Sequence, residues 1–168
     1  FTKQLEKLCV LSVPSDGTEV DSDVSALDER LLVTPSLALQ AARIINAKIA
    51  NLTSECVANA LARLGGDKTV STDRINEQYT GIMRMNEALN AYLLKIAECE
   101  LSEEEAKAVT GLLTRSDDCR HIAQHAMSIS DTASDILAKG KGLTPVGKEE
   151  LSCLSKAVLD LCTAAARC

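Results

Sequence analysis

The chain has 168 residues, 46% of them hydrophobic and 25% charged, with a net charge of -6 at pH 7. That composition supports one well-packed domain or two small ones, and the negative balance disfavours a phosphate-backbone binder. Phe1, Tyr79 and Tyr92 are the only aromatics; without stacking platforms, and with this charge, nucleic acid is excluded as a partner.

Residues 1–13 are weakly amphipathic, and Pro14-Ser15-Asp16-Gly17 breaks their pattern. The acidic stretch up to Asp23 reads as a polar linker, so residues 1–26 stand apart from a body at 27–168. Leu27-Asp28-Glu29-Arg30-Leu31-Leu32 leads into Thr34-Pro35, a cap residue followed by a proline whose missing N–H costs nothing in a first helical turn. Ala38, Ala41, Ile45, Leu52, Cys56 and Ala60 then recur at helical spacing up to Gly65-Gly66, which predicts a helix over 35–64, about 45 Å long. A second helix from Thr72 to Cys99 carries the apolar stripe Ile75, Ile82, Met85, Leu89, Tyr92 and Ile96.

Ser102 and Glu105 have capping-box spacing and open a third helix. Its seam runs through Val109, Leu112, Ser116, Cys119, Ala123, Ala126 and Ala133 to Gly140 or Gly142. Thr144-Pro145 repeats the cap-then-proline device, and a fourth helix is expected to bury Leu151, Leu154, Val158, Leu161 and Ala165. Nothing alternates like a strand, and the connections suit antiparallel neighbours. The expected fold is all-α, an antiparallel up-and-down bundle of three long helices plus a fourth. No apolar run reaches the roughly 18 residues of a membrane span. Seven cysteines, an odd number with no CxxC pair, point to reduced and mostly buried thiols in a cytosolic compartment.

Both histidines lie in Asp117-Asp118-Cys119-Arg120-His121-Ile122-Ala123-Gln124-His125. On a helix, Asp117, Asp118, His121 and His125 share one face, and three readings follow. The face is a solvated helix surface, since Asp–His pairs at this spacing form without any function. Alternatively it is a small metal site of His121, His125 and Asp117 or Asp118, although zinc wants three or four such ligands. A proton-transfer site is the third reading, and it lacks a Ser/His/Asp or Cys/His context. Gly65-Gly66-Asp67-Lys68-Thr69 lacks the spacing of a phosphate loop and follows a helix, not a strand. No catalytic residue and no cofactor is assigned.

The run Leu27 to Leu39, LDERLLVTPSLAL, resembles the segment that opens the cytoplasmic, C-terminal PhoU-like domain of sodium/phosphate cotransporter family proteins. Ala88 to Ile96, the turn Glu100 to Glu105, and Ile122, His125 and Ala126 within Leu112 to Ile129 resemble the same family's second and third helices. The resemblance spans about Leu27 to Ala165. It implies a non-enzymatic regulatory domain at the cytoplasmic face of the cell membrane, joined through residues 1–26, a juxtamembrane segment, to a transmembrane phosphate-transporter domain. It implies a PhoU-like bundle of which the last two helices of a full double repeat are missing or lie beyond Cys168, so that an apolar face wants the transporter or a second copy, as in a homodimer. The family's metal-cluster positions fall on Tyr79 and Met83 and on Arg120 and Gln124. None of these is a carboxylate, so the cluster is not expected here. Two alternatives stand beside this reading: a metal-binding bundle using the third-helix residues, and a freestanding dimeric bundle.

Overall fold

The computed structural model describes residues 20, 22 and 24–166. The amphipathic segment at residues 1–13 lies outside them. Four helices make up the body: α1 (Pro35–Leu64), α2 (Thr72–Ala97), α3 (Glu103–Ala138) and α4 (Pro145–Ala166). A 3-10 turn at Glu29–Val33 precedes α1.

The helix boundaries follow from local chemistry. Pro35 occupies the first turn of α1, while the Thr34 side chain makes no capping bond, so the start rests on the proline. The helix stops at Gly65-Gly66, where Gly66 takes a φ of 99°, a left-handed conformation that favours glycine. Ser71 caps α2 by accepting from Arg74 N–H at 3.1 Å. The expected capping box opens α3: Ser102 Oγ accepts from Glu105 N–H at 3.3 Å, and Glu105 Oε2 accepts from Ser102 N–H at 2.9 Å. Thr144 Oγ1 accepts from Gly147 N–H at 3.1 Å at the start of α4.

Contacts set the helix directions. Asn59 meets Gln78, and Leu52 lies near Gly81, so α1 and α2 are antiparallel. Asn46 meets Leu112 and Arg63 meets Ser134, so α1 and α3 run parallel. This parallel pair makes the most extensive contact in the bundle. Its closeness has a simple cause, since the buried residues of α3 beyond Leu112 are all small: Ser116, Ala123, Ala126, Ser130 and Ala133. Helix α2 closes the triangle with its whole expected stripe buried, from Ile75 to Ile96, together with Leu93. Each such fully buried aliphatic side chain contributes about 1.5–3 kcal/mol.

Polar side chains fix the register. Asn46, 5% exposed, donates from α1 to the Leu112 carbonyl at 3.4 Å. Asn86, 2% exposed, donates from α2 to the Ser116 carbonyl, one turn further along α3. A slip of either helix would strand a buried amide, which costs about 1–3 kcal/mol.

Two features depart from the expected pattern. Residues 20, 22, 24 and 25, within the expected linker, are helical, and Val20 is buried with Cγ2 against Gly81. On α4, Leu151 and Val158 pack inward as expected, joined by Leu159, but Leu154 and Leu161 are 60% and 71% exposed and Ala165 is exposed. Among the described elements α4 has substantial contact with α1 alone. One edge of its apolar stripe therefore finds a partner and the other faces water.

Candidate functional site

The Asp–His segment lies on the middle of α3. Arg120 dominates it, with Nε and Nη2 donating to Asp117 Oδ1 at 3.0 and 2.6 Å. That hydrogen-bonded guanidinium, helped by nearby His121, holds the Asp117 carboxyl below the usual carboxylate range. His121 Nε2 stands 3.0 Å from Arg120 Nη2 and 3.4 Å from Asp117 Oδ2. Nε2 accepts from Arg120 only with its lone pair free and donates to Asp117 only when protonated, so the two contacts are alternatives. Either way Asp117 is held by Arg120, and His121 Nε2 is engaged by one or the other of these two neighbours on its own helix. Among the described residues no three His, Cys, Asp or Glu side chains converge as a metal cluster would need. Of the four residues onto which the resemblance would place a metal cluster, Tyr79 and Met83 are half-buried against the core, Arg120 is paired with Asp117, and Gln124 is exposed.

The same helix face borders a cavity of about 850 Å³ between α1, α3 and the end of α4. Asp118, His121 and His125 are on its lining, while Asp117 is not. From α1 come Arg43, Asn46, Ala47, Ala50, Thr53 and Ser54; from α3 come Lys107, Gly111, Leu112, Arg115 and Cys119; from α4 come Cys162 and Ala165. The space exists because facing positions are small: Ala47 and Ala50 stand on α1, Ala108 and Gly111 on α3. Thr53 is 3% exposed, and its Oγ1 has no hydrogen-bond partner of ordinary geometry, although it lies near the Cys119 thiol. Burial pushes that thiol up, with Thr53 acting in the opposite direction. Sequence reasoning found the α3 face but not the cavity. Its α1 wall lies 66 residues away along the chain at the Asn46–Leu112 contact.

A second feature is the junction Leu27–Leu39. Leu27, Leu31 and Leu32 pack against the core. Tyr92 Oη donates to the Asp28 carbonyl at 3.0 Å, Lys95 pairs with Glu29, and the Cys99 thiol lies 3.7 Å from the Leu32 carbonyl. Asp28 in turn caps the 3-10 turn, accepting from Arg30 N–H at 2.9 Å. The junction is thus fastened to the end of α2 and the turn after it by apolar, hydrogen-bonded and ionic contacts together.

No helix among the described residues is long and apolar enough to cross a membrane. No family model, no curated protein and no solved structure matches this chain.

Proposed function

We propose that this chain is a regulatory and interaction domain, acting at the cytoplasmic face of a sodium-dependent phosphate transporter-like membrane protein and modulating transport by docking rather than by catalysis. The observation that carries the reading is the junction. A segment that ties Leu27, Asp28, Glu29, Leu31 and Leu32 onto the end of α2 passes any displacement of the preceding chain to the bundle, because its contacts are too varied to slide past one another. The outer edge of α4, with Val146, Leu154 and Leu161 in water, offers an apolar surface for the transporter or a second copy. Sodium, phosphate and the membrane context rest on the resemblance of Leu27 to Leu39 and of the helix segments.

The test is sodium-driven uptake of radiolabelled phosphate by cells expressing the full reading frame. Deleting residues 35–166 and, separately, substituting Leu154→Glu with Leu161→Glu should each change the uptake rate severalfold at equal surface expression. Unchanged uptake in both would sink the regulatory reading, and a reading frame without hydrophobic spans before Phe1 would sink the membrane context.

A further inference from the structure

We propose that the cavity between α1, α3 and α4 binds a small amphipathic anion, a phosphate or carboxylate head on a short apolar body. This goes beyond docking and does not depend on it. Three observations carry it.

The first is charge. In a chain of net charge -6, the cavity lining brings together Arg43, Lys107 and Arg115 against one carboxylate, Asp118. Lys107 is already paired with Glu103 at 2.6 Å, whereas Arg43 and Arg115 have no ion-pair partner among the described residues. Arg43 comes from α1 and Arg115 from α3, so the cavity lining carries a guanidinium on each of two helices. Planar forks of this kind suit bidentate recognition of phosphate or carboxylate. His121 and His125 add ring nitrogens on the same α3 face.

The second is the buried hydroxyl. Thr53 lines the cavity, is 97% buried by its 3% exposure, and has no hydrogen-bond partner of ordinary geometry for Oγ1, with only the Cys119 thiol nearby. A buried polar atom without a partner is uncommon in folded proteins and calls for an explanation. A ligand oxygen reaching it would supply one.

The third is the shape and lining. Ala47, Ala50, Ala108, Leu112 and Ile122 add apolar surface to the same lining as the charged residues. A volume of about 850 Å³ lies within the range of about 300–1,000 Å³ typical of small-molecule sites. A bare inorganic anion would leave most of it empty, so the apolar body is part of the proposal.

Isothermal titration calorimetry on the intact chain tests this with octyl phosphate, and with octanol and inorganic phosphate as separate arms. Octyl phosphate should bind saturably, one per chain, and at least about tenfold tighter than either of the others. Arg43→Gln with Arg115→Gln, at two exposed positions, should weaken it by at least about tenfold. Gly111→Leu should abolish it: a Cβ at Gly111 meets nothing within 4 Å, so the new side chain enters the cavity while the helix gains stability. A thermal melt of this variant confirms that it folds. The proposal is overturned if octyl phosphate shows no saturable binding, if binding survives either substitution, or if inorganic phosphate binds as tightly as octyl phosphate.

Discussion

Gly81 and Gly111 both sit inside helices, and alanine in a helix interior is favoured over glycine by about 0.8–1 kcal/mol. At Gly111 a Cβ finds open space, so Gly111→Ala should realise the whole gain and raise the thermal midpoint by about 2–4 °C for a chain of this length. At Gly81 the same Cβ would lie 3.3 Å from Val20 Cγ2 and 3.8 Å from Leu52 Cδ2. Leu52 is at ordinary contact distance, but Val20 must retreat by a few tenths of an ångström. Val20 is only 9% exposed, and overpacking a filled site costs about 1–3 kcal/mol. Gly81→Ala should therefore be neutral or destabilising by up to about 2 kcal/mol once the helix gain is subtracted. Val20→Ala removes the obstructing methyl, and in that background Gly81→Ala should recover its gain, a coupling of about 1–3 kcal/mol. Urea denaturation followed by far-ultraviolet circular dichroism measures all four corners of the cycle. If Gly81→Ala stabilises as much as Gly111→Ala and the coupling is zero, Val20 does not rest on α2, and the docking of the segment before the junction is wrong.

Tyr92→Phe removes the bond to the Asp28 carbonyl and should cost about 0.5–1.5 kcal/mol in the same assay. Burial raises the Tyr92 phenol above its ordinary value of 10.0, so its stabilisation is present below that pH and is lost as pH rises through the raised value; an alkaline titration of stability should flatten in Tyr92→Phe. Glu105 is the opposite case. Hydrogen bonds from Ser102 hold its carboxyl below the ordinary 4.5, so its contribution is present above that pH and lost as pH falls through the lower folded value; Ser102→Ala should lower the melting midpoint at neutral pH and weaken this acid dependence. Burial pushes the Cys56 thiol up to about 11, while Cys153 is exposed. Iodoacetamide followed by peptide mass spectrometry should find Cys153 modified in the folded protein and Cys56 modified only in denaturant, and equal rates at the two would contradict the packing of α1.

The helices were legible because their ends carry local chemistry. Thr34-Pro35, Gly65-Gly66, Ser102 with Glu105, and Thr144-Pro145 each act over three or four residues, and each lies where a helix begins or ends. The α2 stripe was legible because that helix packs against both α1 and α3, so periodicity and burial coincide. On α4 they part company: its pattern is just as apolar, but sequence does not say how many neighbours a helix has, and with α1 alone beside it Leu154 and Leu161 stay in water. Val20 was missed because it stands between Glu19 and Asp21 in a polar stretch, and its burial depends on the missing side chain at Gly81. Asn46 and Asn86 had left a signal, an amide at each of two apolar helix faces. The cavity left none, since it depends on which turns of α1 and α3 lie opposite each other, and that is decided by packing.

The near absence of aromatic residues has a practical consequence. With no tryptophan, near-ultraviolet absorption comes almost wholly from Tyr79 and Tyr92. Tyr92 has its hydroxyl on the Asp28 carbonyl, whereas Tyr79 is half-buried near the start of α2 and apart from the junction. The chain thus carries its own optical gauge. Releasing the junction would shift the phenol band of Tyr92 toward that of a hydrated tyrosine while the helical signal held steady, so detachment of the segment can be followed without attaching a label.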